Sequence, residues 1–181
     1  MINNSFYSNQ ELQSIGFNSY GRNVLISKKA SIYSPEKISL GSNIRIDDFC
    51  ILSGNISLGS SIHISAYTAL FAGDAGIELD DFSGISPHCS IYAISDDFSG
   101  EFMTNSMVYA DKRNIISGKV YLGKYTQVGS GCTVLPGVSI STGTVVGAMS
   151  LVNTFLPEWK ICYGIPVRVV KDRSRNLLAL L

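Results

Sequence analysis

An aliphatic side chain returns at every sixth position along most of this chain. Leu40, Ile46, Leu52, Leu58, Ile64 and Leu70 form one unbroken run, Leu79, Ile85 and Ile91 a second, and Leu122, Val128, Val134, Ile140, Val146 and Val152 a third. A helix face recurs at about 3.6 residues and a strand face at 2, so a period of six fits neither. It fits short strands joined by tight turns and stacked into a solenoid, with one aliphatic residue of each strand pointing inward. With that anchor as the first position of a hexad, the second is often Gly, Ser or Asp, as at Gly41, Asp47, Gly59, Ser65, Gly123, Gly129 and Gly147. Glycine there is read as permitting backbone angles that other residues resist. The fifth position is usually small (Cys50, Thr68, Ser83, Cys89, Thr126, Cys132, Thr144, Ser150), so that the chain turns a corner without crowding the core.

The beat changes phase twice. Three extra residues separate Leu70 from Leu79, and a long segment lies between Ile91 and Leu122. Insertions in a solenoid leave as loops on one face, often the binding face. Outside the repeats, Ser8-Asn9-Gln10-Glu11 is a capping-box pattern that predicts a short helix over about residues 9–15, ended by Gly16. The expected organisation is one domain over residues 1–181. It comprises a helical lead-in at 1–22, a solenoid at 23–154 with its loop at 95–119, and an irregular return strand and C-terminal helix over 155–181. Pro157, Gly164 and Pro166 mark the irregular stretch. The helix is placed at 171–181, with Leu177, Leu178 and Leu181 on one side.

The pattern resembles the hexapeptide-repeat acyltransferases. Residues 120–168 carry the likeness most specifically, with Leu135-Pro136-Gly137-Val138, then Gly147-Ala148-Met149-Ser150, then the closing Gly164-Ile165-Pro166-Val167-Arg168. The resemblance implies an all-β, left-handed parallel β-helix in which three hexads make a triangular coil, assembled as a homotrimer. A narrower likeness runs through Ile91–Asn105, Ser117–Val120 and Asp172–Leu178. These stretches look like a subgroup from bacterial surface-polysaccharide clusters, which includes dTDP-4-amino-4,6-dideoxyglucose acetyltransferases and galactoside O-acetyltransferases. The implied activity is transfer of acetyl from acetyl-CoA to the amine of a nucleotide-linked deoxyaminosugar, in O-antigen or surface-polysaccharide biosynthesis. O-acetylation of a galactoside-like hydroxyl is the alternative, and a non-catalytic trimeric scaffold is a third reading.

Composition narrows the context. Charged residues are only 15% of the 181, which favours burial of a large interface, and the net charge of zero offers no basic field for nucleic acid or an anionic membrane. The first eight residues have no basic region followed by an apolar stretch, and no apolar run approaches the ~18 residues of a transmembrane helix, so the compartment reads as cytoplasmic. Four cysteines without a Cys-x-x-Cys spacing read as buried free thiols. Two histidines are too few for the three-His zinc sites of γ-class carbonic anhydrases, so no metal is expected.

Candidate chemistry concentrates in the insertion, where acids, a glycine and aromatics suit a sugar site. Most sugar O-acetyltransferases of this family carry a His at the start of this loop as general base. Here the stretch is Tyr92-Ala93-Ile94-Ser95-Asp96-Asp97. A hydroxyl needs a base as it attacks a thioester, whereas a deprotonated amine needs little beyond positioning. The missing His therefore shifts the expectation toward N-acetylation, with Asp96, Asp97 or His88 as candidate catalytic groups. His88 is at the outward-facing fourth hexad position and is otherwise an exposed or interface imidazole, and His63 is a remoter candidate. The resemblance places coenzyme A in a groove between neighbouring β-helices. Ser130, Ala148, Asn153 and Arg168 are its contacts there, and Lys171 and Arg173 are weaker candidates. Gln127 stands where several relatives have Trp. Ordinary corner packing, for Ser130 and Ala148, and a solvated charge, for Arg168, are the competing readings.

Overall fold

A computed structural model of the protein describes residues 5–180. The chain winds as a parallel β-solenoid of about seven turns. One face stacks Val24–Ile26, Ile44–Ile46, Ile62–Ile64, Gly84–Ile85, Gln127–Val128, Val145–Val146 and Lys160–Tyr163 in parallel, and Arg168–Asp172 closes it antiparallel. The strands Ile51–Leu58 and Ala69–Leu79 each run round a corner and serve both other faces. The first part of Ile51–Leu58 pairs with Ser31–Tyr33, and its last part with Ile38–Leu40. Ile44 lies opposite Ile62 and Ile51 opposite Ala69, so each residue meets the one three hexads further on. No described helix is long and apolar enough to cross a membrane.

Every anchor of the three runs is at most 4% exposed. The core is nonetheless wider than one aliphatic per strand. Ile38, Ile44, Ile56, Ile62, Ile77 and Val120 stand two residues before an anchor and are also buried, because both residues point to the same side of a strand. These are fifth hexad positions, so the small fifth residue holds throughout only on one face, in the column Cys50, Thr68, Cys89, Cys132 and Ser150. All four cysteines are buried free thiols, and burial pushes Cys50 up to about 11.

The role read for glycine at the second position is corrected. The left-handed residue is at the fourth position, as at Asn43, Phe49, Ser61, Tyr67, Phe82, His88, Tyr125 and Met149, all with φ between 58° and 62°. Glycine follows the anchor because the next coil passes too close. A Cβ on Gly41 would stand 2.3 Å from Gly59 O, and one on Gly129 would stand 2.6 Å from Ala148 N. Fourth-position side chains on consecutive coils lie one above another at the ~4.8 Å strand spacing, which is also a stacking distance. Phe49 stacks on Tyr67 at 4.9 Å and Tyr67 on His88 at 4.8 Å.

The three extra residues after Leu70 are taken up as a bulge around Gly73–Gly76, where the pairing with the preceding coil slips. Residues beyond Val152 continue the coil where the sequence had it end. Leu156 bridges to Ile140, Cys162 pairs with Val146, and Val167 is buried. The aliphatic beat fails there, but Trp159 takes the left-handed corner. The C-terminal helix is also shorter than expected. Residues 168–172 are the antiparallel closing strand, built around the β-branched Val169-Val170, and a 3-10 segment covers Asn176–Leu180. Leu181 lies outside the described residues.

The N-terminal helix Asn9–Ile15 forms as read. The Ser8 hydroxyl accepts from the Glu11 amide at 3.3 Å, the Glu11 carboxylate accepts from the Ser8 amide at 2.7 Å, and Gly16 ends the helix at φ 88°. Ser8→Ala is expected to cost about 1 kcal/mol in denaturant unfolding. Hydrogen bonds from Lys28 and Ser8 lower Glu11 to about 2. A depressed carboxylate stabilises above its unfolded value and loses that contribution as pH falls through its folded one. This anchor should therefore survive at pH 4 and fade near pH 2, and Glu11→Gln should remove that part of the acid transition.

Candidate active site

The long insertion leaves the solenoid through a two-stranded neck. Ile94–Asp96 pairs antiparallel with Ile115–Ser117, placing Ile94 opposite Ser117 and Asp96 opposite Ile115. The Gly118 amide then donates to Ala93 O at 2.9 Å, which returns the chain to its coil. Beyond the neck, the loop is pinned by Met103 N to Lys112 O at 2.9 Å.

At the root of this loop is a cavity of about 550 Å³. Phe71 and Tyr92 occupy the same hexad position on consecutive coils, and their rings stack at 5.2 Å and 17°. With Ile94 and Ile115 they make the lining largely apolar. Ser95, Asp96, Asn105, Ser106 and Arg113 supply its polar groups, so Asp96 is its one acid and Arg113 its one cation.

The two candidate acids are placed differently. Asp96 lines the cavity. One of its oxygens accepts from Arg113 Nη2 at 2.9 Å, and the other from the Asn105 amide at 3.0 Å. The Arg113 guanidinium, then that amide, hold its carboxyl below the usual aspartate range. Asp97 is not part of the lining and organises the loop itself. It accepts from Asn114 Nδ2 and from the Ser99 amide, both at 2.8 Å, and these bonds lower its carboxyl too.

His88 is elsewhere. It is exposed on the corner that follows the first face, stacked on Tyr67 with the ring planes 3° apart. Ile85 lies opposite Val128, and Val128 opposite Val146. Ser130 and Ala148 therefore occupy this same corner one and two coils on, and both are exposed. Arg168 is near its far end, across from Tyr163, whose Cβ would stand 3.0 Å from a Cβ on Gly147. Arg168 is exposed, and its guanidinium donates to Val167 O at 3.2 Å. Asn153 is on the next corner, two coils beyond Tyr92, because Ile91 lies opposite Val134 and Val134 opposite Val152. The candidates thus fall on two edges of one chain, His88, Ser130, Ala148 and Arg168 on one and Asp96 and Asn153 on the other.

Two weaker candidates have partners within the chain. Arg173 donates to Tyr125 O at 2.7 Å and to Gly143 O at 2.8 Å, tying down the C-terminal segment, and its partial burial lowers its pKa. His63 is bound to Asp47 at 2.7 Å on an outer face. Gln127 donates to the Ser86 hydroxyl at 3.1 Å, beside His88. Among the described residues, no group of three or more His, Cys, Asp or Glu could hold a metal ion. The sequence reading missed Phe71, Tyr92 and Arg113. The aromatic pair had a signal, two rings directly after anchors on consecutive coils.

No protein-family model matches the chain. It is 39% identical to dTDP-4-amino-4,6-dideoxy-D-glucose acyltransferase of Escherichia coli, over 94% of this chain and 90% of that protein. It belongs to the hexapeptide-repeat acyltransferase family. A putative lipopolysaccharide biosynthesis O-acetyl transferase of Escherichia coli K12, WbbJ, is 29% identical over 97% of this chain and 86% of that one. The solved structure of AntD, an N-acyltransferase from Bacillus cereus in complex with dTDP and 3-hydroxybutyryl-CoA, superposes with a TM-score of 0.95. It is 50% identical, and the match covers 98% of this chain and 94% of that one. A serine-substituted AntD has been crystallised with dTDP-4-amino-4,6-dideoxyglucose and coenzyme A, and matches with a TM-score of 0.95 at 49% identity, covering 98% of this chain and 95% of that one.

Proposed function

We propose that this acyltransferase moves the acetyl group of acetyl-CoA onto the amine of a nucleotide-linked deoxyaminosugar, dTDP-4-amino-4,6-dideoxyglucose, for a surface polysaccharide. The observation that carries the choice of an amine is Asp96. It is an ionised carboxylate in a largely apolar cavity whose lining contains no histidine. The stacked Phe71–Tyr92 pair suits the apolar face of a deoxysugar. Asp96 attracts the sugar's ammonium and takes one proton from it. The freed lone pair attacks the thioester carbonyl carbon, and backbone amides stabilise the oxyanion. The tetrahedral centre then collapses: the carbon–sulfur bond breaks, the nitrogen gives up its second proton, and coenzyme A leaves as a thiolate that takes that proton up, while Asp96 returns the first to solvent. A hydroxyl acceptor would require a stronger base than a carboxylate held below its ordinary range.

The acyl donor lies along the other edge. Ser130 and Ala148 offer exposed backbone for the pantetheine amides, as a sheet edge offers itself to a strand. Arg168 meets a phosphate, and Asn153 serves from the neighbouring edge. In this reading a complete site joins the donor edge of one copy to the loop of another, which the different corners of the two candidate sets support, and the working form is a cytoplasmic homotrimer. The loop tip supports this, with Phe98 80%, Met107 92% and Tyr109 82% exposed. Burying such side chains between copies is favourable by roughly 25 cal/mol per Å².

The test is the linkage made. The product from acetyl-CoA and the dTDP-aminosugar should resist alkaline hydroxylamine, as an amide does and an oxygen ester does not. A hydroxylamine-labile ester would transfer the assignment to O-acetylation, and would bring His88 back as the base.

A further inference from the structure

Arg113 is seated poorly for so well placed a group. Its Nη2 reaches Asp96 at 2.9 Å, but its Nε is sealed from solvent with no acceptor. A guanidinium keeps its charge at any ordinary pH and is best satisfied by two parallel bonds to one anion. Asp96 gives it only one, because the second carboxylate oxygen is committed to the Asn105 amide. A buried donor left without an acceptor is costly, so this seat holds Arg113 weakly for an ion pair that is about four-fifths buried, at 19% and 21% exposure.

The cavity contains one negative and one positive side chain, and they neutralise each other. The acceptor proposed above carries one ammonium and a doubly charged diphosphate, so each of the two side chains has an opposite partner on the ligand. We propose that Arg113 is the diphosphate-binding residue of the acceptor site, and that its passage from Asp96 to the diphosphate frees the Asp96 carboxylate for the acceptor's ammonium. One protein ion pair is thereby replaced by two protein–ligand pairs, and the guanidinium gains the forked anion that Asp96 does not provide. Arg113 is thus a binding residue toward the nucleotide and a positioning residue toward Asp96. An acceptor lacking the diphosphate leaves Asp96 engaged, so the exchange selects nucleotide-linked sugars over free ones.

This rests on the nucleotide-sugar reading, and the experiment separates the two. Binding of dTDP is measured by calorimetry on the full-length protein and on Arg113→Gln and Arg113→Lys, alongside turnover of dTDP-4-amino-4,6-dideoxyglucose and of the free 4-amino-sugar. Arg113→Gln should weaken dTDP binding about ten- to hundred-fold, leave the KM for acetyl-CoA unchanged, and raise turnover of the free aminosugar because Asp96 is no longer paired. Arg113→Lys should lose affinity to an intermediate extent, since it keeps the charge without the fork, and it carries the test if the Gln variant is unfolded. A folded Arg113→Gln that binds dTDP as the parent does overturns the inference. So does one that loses turnover of both sugars in equal measure, the mark of a merely structural role. Failure of the parent to bind dTDP or turn over its sugar would instead remove the functional reading beneath it.

Discussion

Asp96→Asn is expected to lower kcat/KM for the dTDP-aminosugar by about 10²–10⁴, the range for loss of a general base. It is also expected to change the shape of the pH profile. In the parent, Arg113 and the Asn105 amide hold Asp96 below the usual aspartate range, so it is ionised from mildly acidic to alkaline pH. On the proposed mechanism the parent accepts the protonated amine and removes its proton in place. Its kcat/KM should therefore be flat from about pH 5, above the ordinary aspartate range, up to the amine's own pKa. The variant can use only amine that arrives deprotonated, so its kcat/KM should rise tenfold per pH unit over the same interval. Asp97→Asn should keep the flat profile. Its carboxylate bonds the Ser99 amide and Asn114 within the loop, so loss there should raise the KM for the sugar more than it lowers kcat. If Asp97→Asn steepens the profile and Asp96→Asn does not, the roles are reversed.

The second large effect is at Gly129. Its Cβ would stand 2.6 Å from Ala148 N and 2.8 Å from Val146 O, both backbone atoms of the next coil. Overpacking against atoms that can turn aside costs 1–3 kcal/mol, and backbone cannot turn aside, so Gly129→Ala should cost about 3 kcal/mol. It also pushes Ala148 outward, so the KM for acetyl-CoA should rise while that for the sugar holds. Gly137→Ala is the control. That glycine has φ 79° but nothing within 4 Å of a Cβ, and the strain of the left-handed region is about 1–2 kcal/mol. Denaturant midpoints compare them. A larger loss at Gly137 would mean that backbone angle, rather than coil contact, governs these glycines.

That contrast also shows what the chain made legible. The anchors were readable because one residue in six must be aliphatic on every face, and nothing local competes with that demand. Which glycine serves angle and which serves contact was not readable, since both lie in turns and differ only in what the next coil does. The end of the solenoid was misplaced because Leu156, Cys162 and Val167 fill the core at irregular spacing. Residues 171–172 were assigned to a helix, although the strand built around Val169-Val170 runs on through them. The loop that frames the candidate site announced itself through the broken phase. Choosing Asp96 over Asp97 needed the register of the neck, because neighbouring residues in a strand point to opposite sides. Arg113 reaches Asp96 across seventeen residues of loop, a meeting that no periodicity encodes. Phe71 and Tyr92 were legible in principle, but only by carrying the phase across the three extra residues.

The most direct test of the whole account is thiol release from acetyl-CoA with a matched pair of acceptors, dTDP-4-amino-4,6-dideoxyglucose and its 4-hydroxy counterpart. Thiol release that depends on the amino sugar, with the hydroxy sugar inert, is the result this account predicts. Release with the hydroxy sugar or with a galactoside, and none with the amino sugar, would contradict it.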